Sequence, residues 1–271
     1  MRIAVKFGYD GTLFHGYQRQ KNAVTVEGTI LSFLLNKNLL SESPRFASAS
    51  RTDAGVSALG NVVAFNTPEN PEKILGMLNT ISDGIWFYGY AAVPEKFNPR
   101  HARERWYRYF LSKEGFEEKE KLEQAFSIFP GTHDFRNFAR PSERKTVREI
   151  FKIEVSDAEN FWVIDIYGSS FLWGMVRKII GAVGELMQGR ATIAQIADAL
   201  DGKTTIDFPL APPERLILMD VRYDFGFTVT ERVKRALRKK IEKRFSTVAV
   251  QNEIYRDLRK IVSGTLSPEQ H

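Results

Sequence analysis

The sequence predicts an α+β chain in which one βαββαβ order, the ferredoxin-like split motif, is written twice and followed by a basic helical extension. Three observations lead there. Short runs of alternating apolar residues recur along the chain, helical stripes fall between them at matching places in two halves, and apolar residues change to four-residue spacing after Asp224. The halves are residues 1–98 and 99–224, and the extension is 225–271. Two antiparallel sheets meeting around a central cleft are the expected architecture.

Each element has its own signal. Residues 2–8 place Ile3, Val5 and Phe7 on one side, as a half-buried strand does. Thr25 opens a helix that carries Val26, Ile30, Phe33 and Leu34 on one stripe, and strands follow over 45–50 and 60–66. Asn70-Pro71 starts the next helix, since proline suits the first helical position. A strand over 84–93 completes the first half. In the second half a strand covers Arg105–Ser112 and a charged helix covers 117–129. A hairpin pairs 147–156 with 161–168, and a long helix runs over 171–188. A short helix is opened by the capping pattern Thr192-x-x-Gln195 and closed by Gly202, before a last strand over 215–223. In the extension, a helix capped by Thr228-x-x-Glu231 spaces Val229, Val233, Leu237, Ile241 and Phe245 four apart. A second helix, 249–262, ends before Gly264.

Composition excludes several classes of chemistry. The chain has no cysteine, so a disulfide scaffold, a thiolate zinc site and a cysteine nucleophile are all ruled out. Its four histidines, at 15, 101, 133 and 271, show no paired ligand spacing, and neither a Walker loop nor a dinucleotide-binding glycine motif occurs. No cofactor and no metal are therefore expected. The longest apolar stretch, Phe171 to Met187, is broken by Arg177 and Lys178, which argues against a membrane span. With no signal-peptide pattern at the start, a cytoplasmic location is the expectation. The net charge of +6 lies in the extension, where residues 225–271 hold 11 Lys/Arg and 5 Asp/Glu, leaving 28 of each sign for residues 1–224. Its basic face is either a solvated surface on a helix that packs against the body or a clamp for an RNA backbone.

One loop between predicted strands is unusual, Ser50-Arg51-Thr52-Asp53-Ala54-Gly55-Val56-Ser57. Alone it reads as a turn, with Gly55 at positive φ and Asp53 bonding its own backbone. Its neighbours change that reading. Arg51-Thr-Asp-Ala-Gly-Val56 resembles the active-site motif of the TruA family of tRNA pseudouridine synthases. Tyr9-Asp-Gly-Thr12, Phe14-His-Gly-Tyr-Gln-Arg-Gln20, Tyr107-Arg-Tyr109 and Gly131-Thr-His-Asp-Phe135 resemble that family in order. So do Phe171-Leu-x-x-Met-Val-Arg177 and Ala211-Pro-Pro213 followed by Leu216, and the likeness spans residues 1–224.

The resemblance implies an isomerase that breaks the N1–C1′ bond of uridine, turns the base and rejoins it through C5, in the anticodon stem-loop of tRNA. It implies Asp53 as the catalytic carboxylate, either adding to the sugar or taking its 2′-proton, on a base flipped from its stack. It also implies a homodimer, with tRNA as the partner and no small-molecule cofactor. Arg51 matches the arginine that fills the vacated base position, or else is a surface ion-pair residue. Tyr107 matches the ring laid on the target uracil, or else is a core aromatic. Arg177 shares a helix face with Gly181 and Gly184, so its charge is expected to be partly buried and paired. The resemblance pairs it with Asp53; another acid is the alternative. Leu216 matches an apolar wall of the uracil pocket, or else is an ordinary core leucine. Ser50 and Ser57 stand where bacterial members commonly have glycine and histidine, and Trp173-Gly174 replaces a frequent histidine pair, changes that resemble archaeal or eukaryotic branches.

Overall fold

The computed structural model describes residues 1–41, 45–116, 118–141 and 143–263. The first half runs β1 (Arg2–Tyr9), α1 (Val26–Asn36), β2 (Ala47–Ser48), β3 (Ser57–Asn66), α2 (Pro71–Leu78) and β4 (Ile85–Ala92). The second runs β5 (Glu104–Ser112), α3 (Lys119–Phe126), β6 (Gly131–Asp134), β7 (Val147–Ala158), β8 (Phe161–Gly168), α4 (Met175–Met187), α5 (Ile193–Leu200) and β9 (Leu216–Arg222). Both halves lay their strands in the same order, β4-β1-β3-β2 and β9-β5-β8-β7, with β6 added at the outer edge of the second. The repeated βαββαβ order is thus present in space as well as in sequence.

The two ladders are not separate sheets. They merge into one sheet of nine strands because β9 lies between β3 and β5. It pairs parallel with β3 at Ser57–Ile217 and Ala58–Leu218, and antiparallel with β5. The reason is the brevity of β2, which covers only Ala64 and Val63 at the far part of β3 and leaves the start of β3 open. Residues 49–56 lie outside the ladder between these two partners of β3, and they include Asp53.

Local chemistry explains the element ends. Thr25 Oγ1 accepts from the Gly28 N–H to start α1, and the Asn70 side chain accepts from Glu72 and Lys73 ahead of Pro71 in α2. At α5 both halves of the capping box form, Thr192 with the Gln195 N–H and Gln195 with the Thr192 N–H. Strand β5 buries Arg105, Tyr107, Tyr109 and Leu111 and turns the intervening residues outward, as its alternation requires. One strand is additional to the sequence expectation and two helices differ from it. Strand β6 carried no usable sequence signal, being only four residues long and exposed or half-exposed throughout. Helix α4 starts at Met175, four residues late, because Gly174 sits in the left-handed region (φ 78°) as its N-cap. Helix α3 is shorter than 117–129, and residue 117 lies outside the described residues.

Gly181 of α4 carries a packing constraint. A Cβ there would lie 1.9 Å from the Pro209 carbonyl oxygen, so the segment 209–211 can approach the helix only over a hydrogen. Gly184, on the same helix face, meets nothing within 4 Å. Gly181→Ala is therefore expected to lower the melting temperature by roughly 4–10 °C, as overpacked sites do in proteins of this size. Calorimetry of the two proteins checks this, and an unchanged melting point would mean that segment 209–211 yields freely.

Residues Met1–Thr228 form one compact unit and Val229 onward a second. The second consists of α6 (Glu231–Val262), one helix of 32 residues where two were expected. No glycine or proline interrupts 231–262, and the Ser246 and Thr247 hydroxyls satisfy themselves on the Glu242 and Lys243 carbonyls within the helix. Its cap is Thr230, which accepts from the Val233 N–H, while Thr228 pairs with Tyr90 in an isolated bridge. The helix ends at Val262, and Gly264 lies outside the described residues. Among the described residues no helix is long and apolar enough to cross a membrane.

Candidate active site

The loop 49–56 is gripped from both halves. From the first half, the Asn61 amide donates to the Ser50 carbonyl (3.0 Å) and accepts from the Ser50 N–H, while Thr52 Oγ1 meets the Tyr9 hydroxyl at 2.7 Å. The Tyr17 N–H donates to the Thr52 carbonyl. Gly55 takes φ 85°, as the turn demands, and a Cβ there would lie 3.1 Å from Pro213 Cγ. From the second half comes Arg105, which donates to Ser50 Oγ at 3.1 Å and to the carbonyls of Ala49, Arg100 and Ser169. Four neutral acceptors hold this guanidinium, which is 6% exposed, and burial lowers its pKa from the ordinary value.

So braced, Asp53 does not cap its own turn. Arg177 Nη1 donates to Asp53 Oδ2 at 2.6 Å, and the two side chains are 13% and 14% exposed. Arg177 Nε donates to the Ala211 carbonyl, also at 2.6 Å, so one fork ties the carboxylate to the segment beside Gly181. This meets the expectation of a partly buried, paired arginine. The other carboxylate oxygen, Oδ1, accepts from the Trp173 indole N–H.

A cleft of about 1100 Å³ opens over this pair. Its lining includes all five residues singled out in the sequence, Arg51, Asp53, Tyr107, Arg177 and Leu216. Arg51 is exposed on the loop itself, and Leu216 is buried at the start of β9, opposite Tyr109. Tyr107 is buried with its ring edge-on to Phe171 at 5.1 Å. Burial pushes its phenol up to about 12, so the ring is a neutral surface at physiological pH. The lining carries Arg19, Arg51, Arg100, Arg105, Arg140, Arg148 and Arg177 against Asp53 and Glu143. A body with balanced charge thus concentrates cations at one place, which a count along the chain does not reveal.

Sequence reasoning passed over three contributors. Trp173 was noted only as a departure from the family pattern, although its spacing of four from Arg177 put both on one side. Arg105 had a signal in its place on the buried face of an alternating strand. Asn61 stood out as the polar residue opening the run Asn61-Val-Val-Ala-Phe65.

Comparison with known proteins identifies the family. The model of the family described as tRNA pseudouridine synthase matches residues 125–224. Proteins named tRNA pseudouridine synthase A from Pyrococcus furiosus, Pyrococcus abyssi and Thermococcus sibiricus are 41%, 42% and 42% identical to the chain. The matches cover 95%, 90% and 92% of this chain and 97%, 94% and 97% of theirs. Likeness of that extent makes the protein an isomerase. The chain belongs to the TruA family of tRNA pseudouridine synthases.

Proposed function

We propose that the protein converts uridine to pseudouridine in the anticodon stem-loop of tRNA, in the cytoplasm, with Asp53 as the nucleophile or base. The observation that carries this reading is the Asp53–Arg177 pair in an arginine-lined cleft. The reaction exchanges an N1–C1′ bond for a C5–C1′ bond, with a proton lost from C5 and one gained at N1. Nothing is oxidised and no water is consumed, so a positioned carboxylate and a shaped pocket are the chief requirements. The base leaves its stack to reach that carboxylate. In this reading Arg51 fills the space it vacates, the Tyr107 ring covers the uracil, Leu216 walls its pocket, and Arg177 pairs with Asp53 and aims it. Residues 1–98 and 99–224 serve as the two functional halves, with 225–271 as an extension. Mapping pseudouridines in total tRNA with and without the enzyme tests the proposal. Loss of anticodon-arm pseudouridines is expected, and an unchanged map would reject it.

Two accessory expectations go with it. The working enzyme is a homodimer, because a 31.0 kDa chain is small beside an L-shaped RNA. Light scattering at micromolar concentration should give twice the chain mass; a monomer whose activity stays linear down to nanomolar would refute this. Helix α6 contributes attraction to phosphate through Arg235, Arg238, Lys239 and Lys243, which are exposed. Changing these four to glutamine keeps the apolar residues of α6 and is expected to lower the slope of log K for tRNA against log salt by about 2 to 3 units. An unchanged slope would make the basic face a solvated surface.

A further inference from the structure

We infer that Trp173 is a gate on Asp53, seated on the carboxylate in the free enzyme and displaced when the target nucleotide enters. The inference rests on the reading of Asp53 as the reacting group. Both oxygens of Asp53 are engaged, Oδ2 by Arg177 and Oδ1 by the Trp173 indole N–H. Attack on the sugar and removal of its 2′-proton each require one carboxylate oxygen to be open toward the ribose. Each oxygen keeps a second lone pair, so it is the bulk of a donor in the cleft, the Trp173 indole on Oδ1 or the Arg177 guanidinium on Oδ2, that has to make room for the ribose.

The two are not equally held. Arg177 lies within α4, is 13% exposed at its side chain, and is anchored at Nε by the Ala211 carbonyl. Withdrawing it would strand a half-buried carboxylate and a carbonyl together. Trp173 precedes the helix and is 48% exposed, so its indole can turn toward solvent without stranding a buried group. Its ring is covered by the Arg140 guanidinium, 3.2 Å from the ring centroid, and Arg140 is itself exposed. Trp173 is the partner that moves. In the free enzyme the indole keeps Oδ1 hydrogen-bonded and occupies cleft volume, so that only a nucleotide that supplies its own contacts to the carboxylate replaces it. Once displaced, the indole and its stacked arginine offer the RNA strand an aromatic face and a cation.

The chain has four tryptophans, Trp86, Trp106, Trp162 and Trp173, of which Trp173 lines the cleft. Protein labelled with 5-fluorotryptophan therefore gives a fluorine spectrum in which the Trp173 resonance is assigned by its loss in Trp173→Phe. Saturation with an unmodified tRNA transcript is expected to shift that resonance strongly and the other three little. Trp173→Phe retains a ring beneath Arg140 and lacks the N–H, so displacing that ring no longer breaks a hydrogen bond to Asp53. It is expected to bind the transcript about two- to tenfold more tightly at fixed salt, the worth of one net hydrogen bond. An unshifted Trp173 resonance, or binding that is unchanged or weaker in Trp173→Phe, overturns the gate. Turnover by Asp53→Asn is measured alongside: if that variant is active, the reading beneath the gate fails, and if it is inactive, those outcomes count against the gate alone.

Discussion

Asp53→Asn is expected to reduce pseudouridine formation below about 1% of the wild-type rate, because loss of an essential catalytic group usually costs several orders of magnitude. The substitution is isosteric and leaves one oxygen to accept from Arg177. The new amide N–H₂ faces the Trp173 N–H, a donor against a donor, but Trp173 is half exposed and can turn aside. The loop itself is held by Asn61, Tyr9, Tyr17 and Arg105, none of which touches the Asp53 side chain in these contacts. The variant should therefore fold and bind tRNA while failing to turn over. Tritium release from tRNA containing [5-3H]uridine, read beside a thermal melt, decides the matter. Residual activity above 1% in a folded variant would remove Asp53 from the chemistry.

Arg177→Met should damage both stability and activity. Methionine fills much of the same volume without charge, so Asp53 is left half-buried with no counter-cation and the Ala211 carbonyl loses its donor. Removing one partner of a buried ion pair costs about 3–5 kcal/mol, reduced somewhat here by residual exposure, and turnover should fall at least about a hundredfold. Arg177→Lys restores charge but not the fork that spans Asp53 and Ala211, so it should recover only part of either quantity. The double variant Asp53→Asn with Arg177→Met removes both charges and should melt closer to the wild type than Arg177→Met alone. Equal melting points for those two variants would show that the pair is not coupled.

How legible all this was in the sequence depended on whether a signal was local. The alternation of β5 and the reciprocal cap at Thr192 are decided within a few residues, and both formed as read. The joining of the sheets was not local, since it depends on where β2 stops, and a two-residue strand leaves little pattern. In α6 the misreading has a definite cause. Apolar residues four apart drift around a helix by about 40° per step, so the stripe from Val229 to Phe245 runs out and another begins at Ile254. The stripe changes face while the backbone continues. At the site, the need of a buried charge for a partner made some acid beside Arg177 legible, and only the family resemblance pointed to Asp53 as that acid. The indole on the second oxygen was not legible, because an aromatic residue at a helix entrance has many uses.

The place of β9 has a consequence for how the enzyme comes off the ribosome. Chains grow from the N-terminus, and domains tend to fold as they emerge. The strands of the first half are complete by residue 92, yet the strand that joins them to the second half spans 216–222 and is inserted into the middle of the sheet. Before residues 211–222 are made, Arg177 has no Ala211 carbonyl, the start of β3 lacks its parallel neighbour, and the cleft lacks Leu216. A polypeptide arrested near residue 200 would carry Asp53 and Arg177 without the frame that sets them together. A chain that ends before residue 211 is therefore expected to lack the assembled Asp53–Arg177–Ala211 arrangement.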